Sequence, residues 1–463
     1  MFMTVTSRRM PRHPGREIGG LAPLSASGCI ILALTAVGPW VNGKFGYPGL
    51  VPLLIASGLA TVVAAKIAPS APAREGLVVV VTLALAMRLA IVFIDPILST
   101  DAYRYVWDGR VQAAGFNPYR FVPADPALSA LRDASIFPNI NRADFAVTIY
   151  PPIAQAFFYL ATRLGETITV MRLALVACEI VTIAVVIDLL RRFDKPVTMI
   201  AAYAWHPLSI WEIANNGHVD ALMVALAMVG LWLFIRMRPV VSAVAVALGM
   251  LVKPYLILMM PAFWRPWDWR VPLVMILTIG ICYLPYLGVG TGVLGYLASG
   301  YFDEEELADG EGFWLVHLAN SVWDDVPGLV VLYLCAALAV VGWLALRAAF
   351  RSDRSPETTA HHIVGLLLAG LFFLSPNYPW YFLLLVPFLP IVGGAPSWTL
   401  TVGAFLLYRE CWCDDQPDIL IWKTALNLAF LIAVSFPTVR SIAASGRLRR
   451  ILGRKGRVPP QLT

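Results

Sequence analysis

Three short polar clusters interrupt an otherwise apolar chain, and each carries residue types that can do chemistry. The first runs from Ser99 to Arg110. In it Asp101 and Asp108 stand seven residues apart, so a helix here puts both carboxylates on a similar face. A carboxylate in that position can take a proton from an attacking hydroxyl within hydrogen-bonding reach. The same residues admit a structural account, in which Asp101 caps the helix and Asp108 pairs with Arg104 or Arg110. The second cluster, Asn215 to Asp220, precedes an apolar run, so Asn216, His218 and Asp220 stand at a helix N-terminus. A cap fits there, and so does a positive helix end that holds an anion or sugar hydroxyls. Lys253 lies inside an apolar run and needs an anionic partner, either a phosphate or a carboxylate from a neighbouring helix. The third cluster, Ser375 to Tyr381, joins two prolines to three aromatics, as a membrane-boundary belt or a sugar-stacking platform would.

The rest of the chain must position these clusters from within a membrane. Hydrophobic residues are 59% of the 463, against roughly 45–50% in soluble domains, and charged residues are 14%, against roughly 25%. Apolar runs recur from Leu24 to Phe436, and about 20 residues cross a bilayer as a helix, so little length remains for a soluble catalytic domain. The net charge of +6 sits at the ends: residues 1–20 sum to +3 and residues 437–463 to +7. Basic ends on a polytopic chain fit cytoplasmic anchors and argue against a nucleic-acid surface. The run Leu24 to Val37 follows basic residues but no small-x-small cleavage site comes after it, so it reads as a retained span. Cys29, Cys178, Cys282 and Cys335 lie in apolar runs as small hydrophobes, and Cys411 with Cys413 is too close for an unstrained disulfide. Gly290 to Gly295 matches a dinucleotide fingerprint only formally, because no strand precedes it. Glu304, Glu305 and Glu306 read as a solvated face.

The charge bias of the loops then sets the topology. From a cytoplasmic N-terminus, spans at 24–41, 48–68 and 77–94 deliver a long polar loop, 95–148, to the outer side. Residues 150–164 form a short helix against the bundle, and spans follow at 168–190, 197–213 and 219–236. Lys253-Pro254 breaks 240–264 into a hairpin of two short helices. A span at 271–289 leads to an acidic outer loop, 290–327, and 328–349 returns. Four further spans, 361–374, 379–392, 397–410 and 418–436, leave the basic tail inside. The expected fold is an all-α polytopic membrane protein of about twelve transmembrane helices plus short re-entrant or interfacial helices. Its parts are a basic N-terminus with two spans (1–76), a catalytic membrane core (77–392) and C-terminal spans with a cytoplasmic tail (393–463). All three polar clusters fall on the outer side.

In their order, the motifs resemble those of the GT-C superfamily of integral-membrane glycosyltransferases. The likeness is to the mannosyltransferase branch that includes the catalytic subunit of GPI mannosyltransferase I. The acidic first loop from Asp101 to Asp108, Gly115 to Tyr119 around Asn117, Ile149 to Pro152 around Tyr150, Asn216 to Asp220, Lys253 to Tyr255, and Ser375 to Tyr381 carry it. The resemblance implies a hexosyltransferase, with mannose as the sugar. A polyprenyl-phosphate sugar in the cytoplasmic (inner) membrane is the donor, and a lipid-linked or cell-envelope glycan hydroxyl on the outer side is the acceptor. The reaction implied is an inverting displacement with Asp101 as base and Asp108 in reserve. Lys253, Arg104 and Arg110 are the candidates for the donor phosphate. Tyr103, Asn117, Tyr150, Asn216, His218, Asp220, Asn377, Tyr378 and Trp380 are those for sugar or acceptor. The family's first loop often carries an Asp-x-Asp pair where this chain has Asp101 and Tyr103, which leaves a divalent metal doubtful, since one carboxylate is a poor metal site. No other cofactor is expected. The competing class is a transporter or flippase of lipid-linked saccharide, but such proteins carry broken helices in two repeated halves, and here Lys253-Pro254 stands alone.

Overall fold

The computed structural model describes residues 18–307, 309–323, 326–408 and 419–444. Cys411, Cys413 and the far ends of both basic termini lie outside the described residues. Among those described, every regular element is helical, as lipid requires of backbone that must satisfy its own hydrogen bonds. Helix α1, Leu21–Ile67, is broken at Gly46, whose φ of 62° and ψ of −159° part its two limbs close to the two expected spans. Helices α2 (Ala73–Ile91), α3 (Asp101–Ala113), α4 (Pro152–Leu164) and α5 (Ile168–Arg192) follow. Next come α6 (Asp220–Ile235), α7 (Pro239–Met250), α8 (Arg270–Tyr283), α9 (Leu329–Phe350), α10 (Pro356–Leu374), α11 (Ala395–Gly403) and α12 (Ile419–Ala444).

Six helical stretches are long and apolar enough to cross a membrane, and five shorter apolar ones pack among them. The molecule is an all-α polytopic membrane protein. The expected span at 197–213 is instead a chain of short pieces: a 3₁₀ turn, Ala201–Ala204, a turn at Pro207 and a π-helix over Ile210–Asn215. Pro207 cannot continue the helix, and every residue from Ala201 to Asp220 is buried, so the broken backbone lies within protein. Pro379–Phe388 is likewise a ten-residue 3₁₀ helix. At about 2.0 Å per residue it reaches roughly 20 Å, further than an α-helix of that length.

The hairpin at Lys253-Pro254 is as expected. Helix α7 leads to the break, and Pro254–Met259 and Met260–Phe263 return to the level of α9's end, where Arg351 and Arg354 donate to Ala262 O (2.9 Å) and Trp264 O (3.2 Å). At the basic end Asp188 binds Arg192 at 2.7 Å and the Trp232 indole at 2.7 Å. Outward faces of α9 carry Leu332 and Leu338, 68% and 73% exposed, as a lipid-facing helix must. One buried ion pair, Arg88 with Glu179 at 3.0 and 2.5 Å, ties α2 to α5, and Arg88 also donates to Ala204 O. With its donors satisfied in this way, the charge is tolerated at depth.

Candidate active site

At the end of the bundle opposite the basic loops lies one cavity of about 590 Å³, walled by residues of four of the distant motif segments, those around Asp101, Tyr150, Lys253 and Asn377. Asp101 opens onto it from the first residue of α3. Its carboxylate does not cap the helix. Oδ1 accepts from Asn141 Nδ2 at 2.8 Å, Oδ2 accepts from the Tyr150 hydroxyl at 3.3 Å, and the side chain is 15% exposed. Tyr150 is fixed by edge-on packing against Tyr105 and Phe158, which stack on each other at 4.4 Å. Asp108 lies on the same helix face and is buried at 2% exposure. Arg104 Nε donates to its Oδ1 at 2.8 Å and Gln155 to its Oδ2 at 2.9 Å. It therefore has no access to the cavity and is not available as a reserve base.

The basic residues separate in the same way. Lys253 lines the cavity from the hairpin break, where Asp220 Oδ2 binds its Nζ at 2.6 Å and Tyr255 donates to Asp220 Oδ1 at 3.1 Å. Its ammonium also stands 5.3 Å from the centre of the Tyr381 ring. Arg104 is committed to Asp108 and Ala146 O, and Arg110 lies in a separate outer cluster with Asp133 (2.7 Å), Glu166 (2.8 Å) and Leu131 O (2.9 Å). Neither lines the cavity, so neither guanidinium is placed to meet a donor phosphate there. The cavity's second cation is Arg142, which the sequence reading passed over. Its backbone is left-handed, with φ 56°, and its side chain pairs with Glu304 across the opening.

Of the sugar candidates, Tyr150, Asn377, Tyr378 and Trp380 line the cavity. Asn377 donates to Glu305 Oε2 at 2.9 Å. Trp380 stacks on His218 at 4.1 Å and on Tyr378 at 4.5 Å. Two rings cannot share one face at those distances, so both faces of Trp380 are covered and a sugar ring can stack on neither. Tyr103 lies outside the lining. Asn117 closes a turn onto Tyr119 N and donates to Tyr286 O, both at 3.0 Å. Asn216 accepts from Leu98 N at 3.0 Å and donates to Glu212 at 2.9 Å, bracing the approach to α3. His218, Asp220 and Asn216 are fully buried behind the wall. Of the three glutamates, Glu304 and Glu306 are exposed as expected, Glu304 pairing with Arg142, but Glu305 is 8% exposed and lines the cavity, where burial pushes its carboxyl above the ordinary range. From the expected acidic loop, Leu297, Tyr301, Phe302, Glu305, Leu307 and Gly312 thus line the site, and Tyr301 meets the Tyr381 hydroxyl at 2.5 Å.

This arrangement places a hydrogen-bonded carboxylate beside two cations and several sugar-binding side-chain types in one pocket of a membrane protein. A family model described as the alpha-(1->6)-mannopyranosyltransferase, N-terminal domain, matches residues 28–267, just over half of the chain, and holds Asp101, Arg142, Tyr150, His218, Asp220 and Lys253. The chain belongs to that mannosyltransferase family. It is a glycosyltransferase, while the narrower likeness to the branch of GPI mannosyltransferase I does not follow from the match. No curated protein and no solved structure matches the chain. Within this mannosyltransferase, Asn377, Tyr381 and the loop carrying Tyr301 and Glu305 come from beyond the matched segment, so the wall opposite Asp101 is built by the chain's second half.

Proposed function

We propose that this mannosyltransferase moves mannose from a polyprenyl-phosphate donor to a hydroxyl of a lipid-linked or cell-envelope glycan, at the outer face of the cytoplasmic membrane. The observation that carries the reading is that Asp101 shares its cavity with Lys253 and Arg142. Asp101 removes the acceptor's proton, the acceptor oxygen bonds to the anomeric carbon, and the carbon–oxygen bond to phosphate breaks with its electron pair on the departing polyprenyl phosphate. Lys253 and Arg142 meet that charge. Preorganised cations of this kind contribute on the order of 3 kcal/mol each to the transition state. An α-(1→6) product made by one in-line displacement requires a donor of β configuration. Apolar wall residues such as Leu297, Phe302 and Leu374 suit the start of a polyprenyl chain. Among the described residues no three His, Cys, Asp or Glu side chains group around a common point. Each step of the proposal uses this chain's own side chains.

The test is release of polyprenyl phosphate from a panel of β-configured polyprenyl-phosphate hexoses by the lipid-reconstituted protein, with envelope lipid as acceptor. Release from the mannose donor that falls roughly 10²- to 10⁴-fold in Asp101→Asn supports the proposal. Full release by that variant, or intact passage of labelled donor across the bilayer, overturns it.

A further inference from the structure

Behind Asp101, on the side away from the cavity, lie two titratable groups that the displacement does not use. His218 is fully buried, and neither of its ring nitrogens has a hydrogen-bond partner. Nδ1 faces Asp101 Oδ2 at 3.7 Å, and Nε2 faces Glu212 Oε2 at 3.4 Å. Glu212 is also fully buried, in the π-helix Ile210–Asn215, where Tyr408 donates to Oε1 at 2.5 Å and Asn216 to Oε2 at 2.9 Å. A carboxylate buried at this depth is expensive, and π-turns of this kind recur at functional sites. Trp380, stacked on the imidazole, holds the ring between the two acids. The charged groups around His218 are Asp101 on α3, Glu212, Asp220 at the start of α6 and Lys253 at the hairpin.

We propose that His218 and Glu212 are a proton relay that empties Asp101 from behind. The inference rests on Asp101 being the base. While donor and acceptor fill the cavity, the proton that Asp101 has just taken has no water in front of it. It passes from Asp101 to Nδ1 of His218 as the Nε2 proton of His218 passes to Glu212. The step returns Asp101 to its carboxylate and leaves the imidazole neutral in its other tautomer, with one proton gained by Glu212. No electron is moved. When product leaves and water enters, the reverse shift delivers the proton to Asp101 and out. Burial holds the imidazole's pKa down to about 4, so the ring is neutral at physiological pH, with one nitrogen donating and the other accepting. A ring that gives as it receives never has to carry a full charge.

The experiment compares Glu212→Gln and His218→Gln with wild type and Asp101→Asn in the reconstituted full chain, at fixed pH and increasing imidazole buffer. The expected result for each relay variant is a kcat lowered roughly 10- to 100-fold at unchanged donor KM. Turnover then climbs with imidazole, a base that can take the stranded proton from Asp101 once product has left, whereas wild type does not respond. Wild-type kcat in Glu212→Gln, or a loss that imidazole leaves untouched, overturns the relay. If one variant does not fold, the other decides on the same two readouts. The two readings fail separately. An active Asp101→Asn removes the base itself, while an inactive Asp101→Asn beside a fully active Glu212→Gln removes only the relay.

Discussion

Asp101 and Asp108 share a helix face, yet the chain gives them opposite surroundings, and the difference is what makes one a reagent and the other a fastener. Asp101 keeps an open side toward the cavity, whereas Asp108 spends its oxygens on Arg104 and Gln155. Asp108→Asn is therefore expected to act on stability. Breaking a buried pair strands the remaining guanidinium and costs on the order of 3 kcal/mol, while kcat per folded molecule stays within about twofold. A melting temperature measured in detergent, beside single-turnover transfer normalised to folded protein, separates the two; a collapse in kcat at unchanged melting would return Asp108 to the chemistry. At this scale the residue types were legible and their commitments were not. Asp101, Asn377 and Tyr378 of the polar clusters reach the cavity, as do Lys253 and, from the motif resemblance, Tyr150. Arg142 and Glu212 escaped because neither stands in a patterned motif: Arg142 sits in irregular loop, and Glu212 hides in an apolar stretch where one acid looks incidental. A lone acid in an apolar stretch, four residues ahead of Asn216 and six ahead of His218, was the available signal.

Elements matter here mainly through their breaks. The Lys253-Pro254 interruption, the Gly46 kink and the π-helix before Asn216 each bring polar residues to one end of the bundle, and proline made the first of these readable. The π-helix and the long 3₁₀ helix Pro379–Phe388 were not readable, since a continuous apolar run gives no period that separates them from α-helix. Gly217 shows how tightly these breaks hold the base. Its φ is 72°, and a Cβ there would come within 2.8 Å of the Arg172 side chain and 3.3 Å of Ala102, the residue after Asp101. Gly217→Ala is expected to cost more than about 1 kcal/mol for the left-handed backbone alone. Relief of the contact displaces the start of α3, so transfer should fall along with stability. Ser209→Ala, seven residues before Asn216 and bonded only to nearby backbone carbonyls, is the control for ordinary destabilisation. Equal loss of transfer in both variants at equal melting shift would remove the positional role of Gly217.

At the scale of the whole molecule, the charge bias of the loops is what the sequence offers for orientation. Arginine-rich turns recur at one end, where Asp188 gathers Arg192 and Trp232 and where Arg351 and Arg354 close the hairpin, while the cavity and both long loops occupy the other. Lys and Arg near span ends stay on the cytoplasmic side during insertion, so the cavity end should face outward, which is also where a donor already carrying its energy in a phosphate ester needs no nucleotide. Two exposed serines report on this directly: Ser129 lies in the loop between α3 and α4, and Ser352 follows α9 beside Arg351. In a chain whose six native cysteines have been replaced, Ser129→Cys should react with a membrane-impermeant maleimide applied to intact cells. Ser352→Cys should react only after the membrane is opened. The reverse labelling would put Asp101 and the cavity on the cytoplasmic face, and the acceptor would then have to be a glycan intermediate built inside the cell, with Lys253 and Arg142 meeting a donor presented from the inner leaflet.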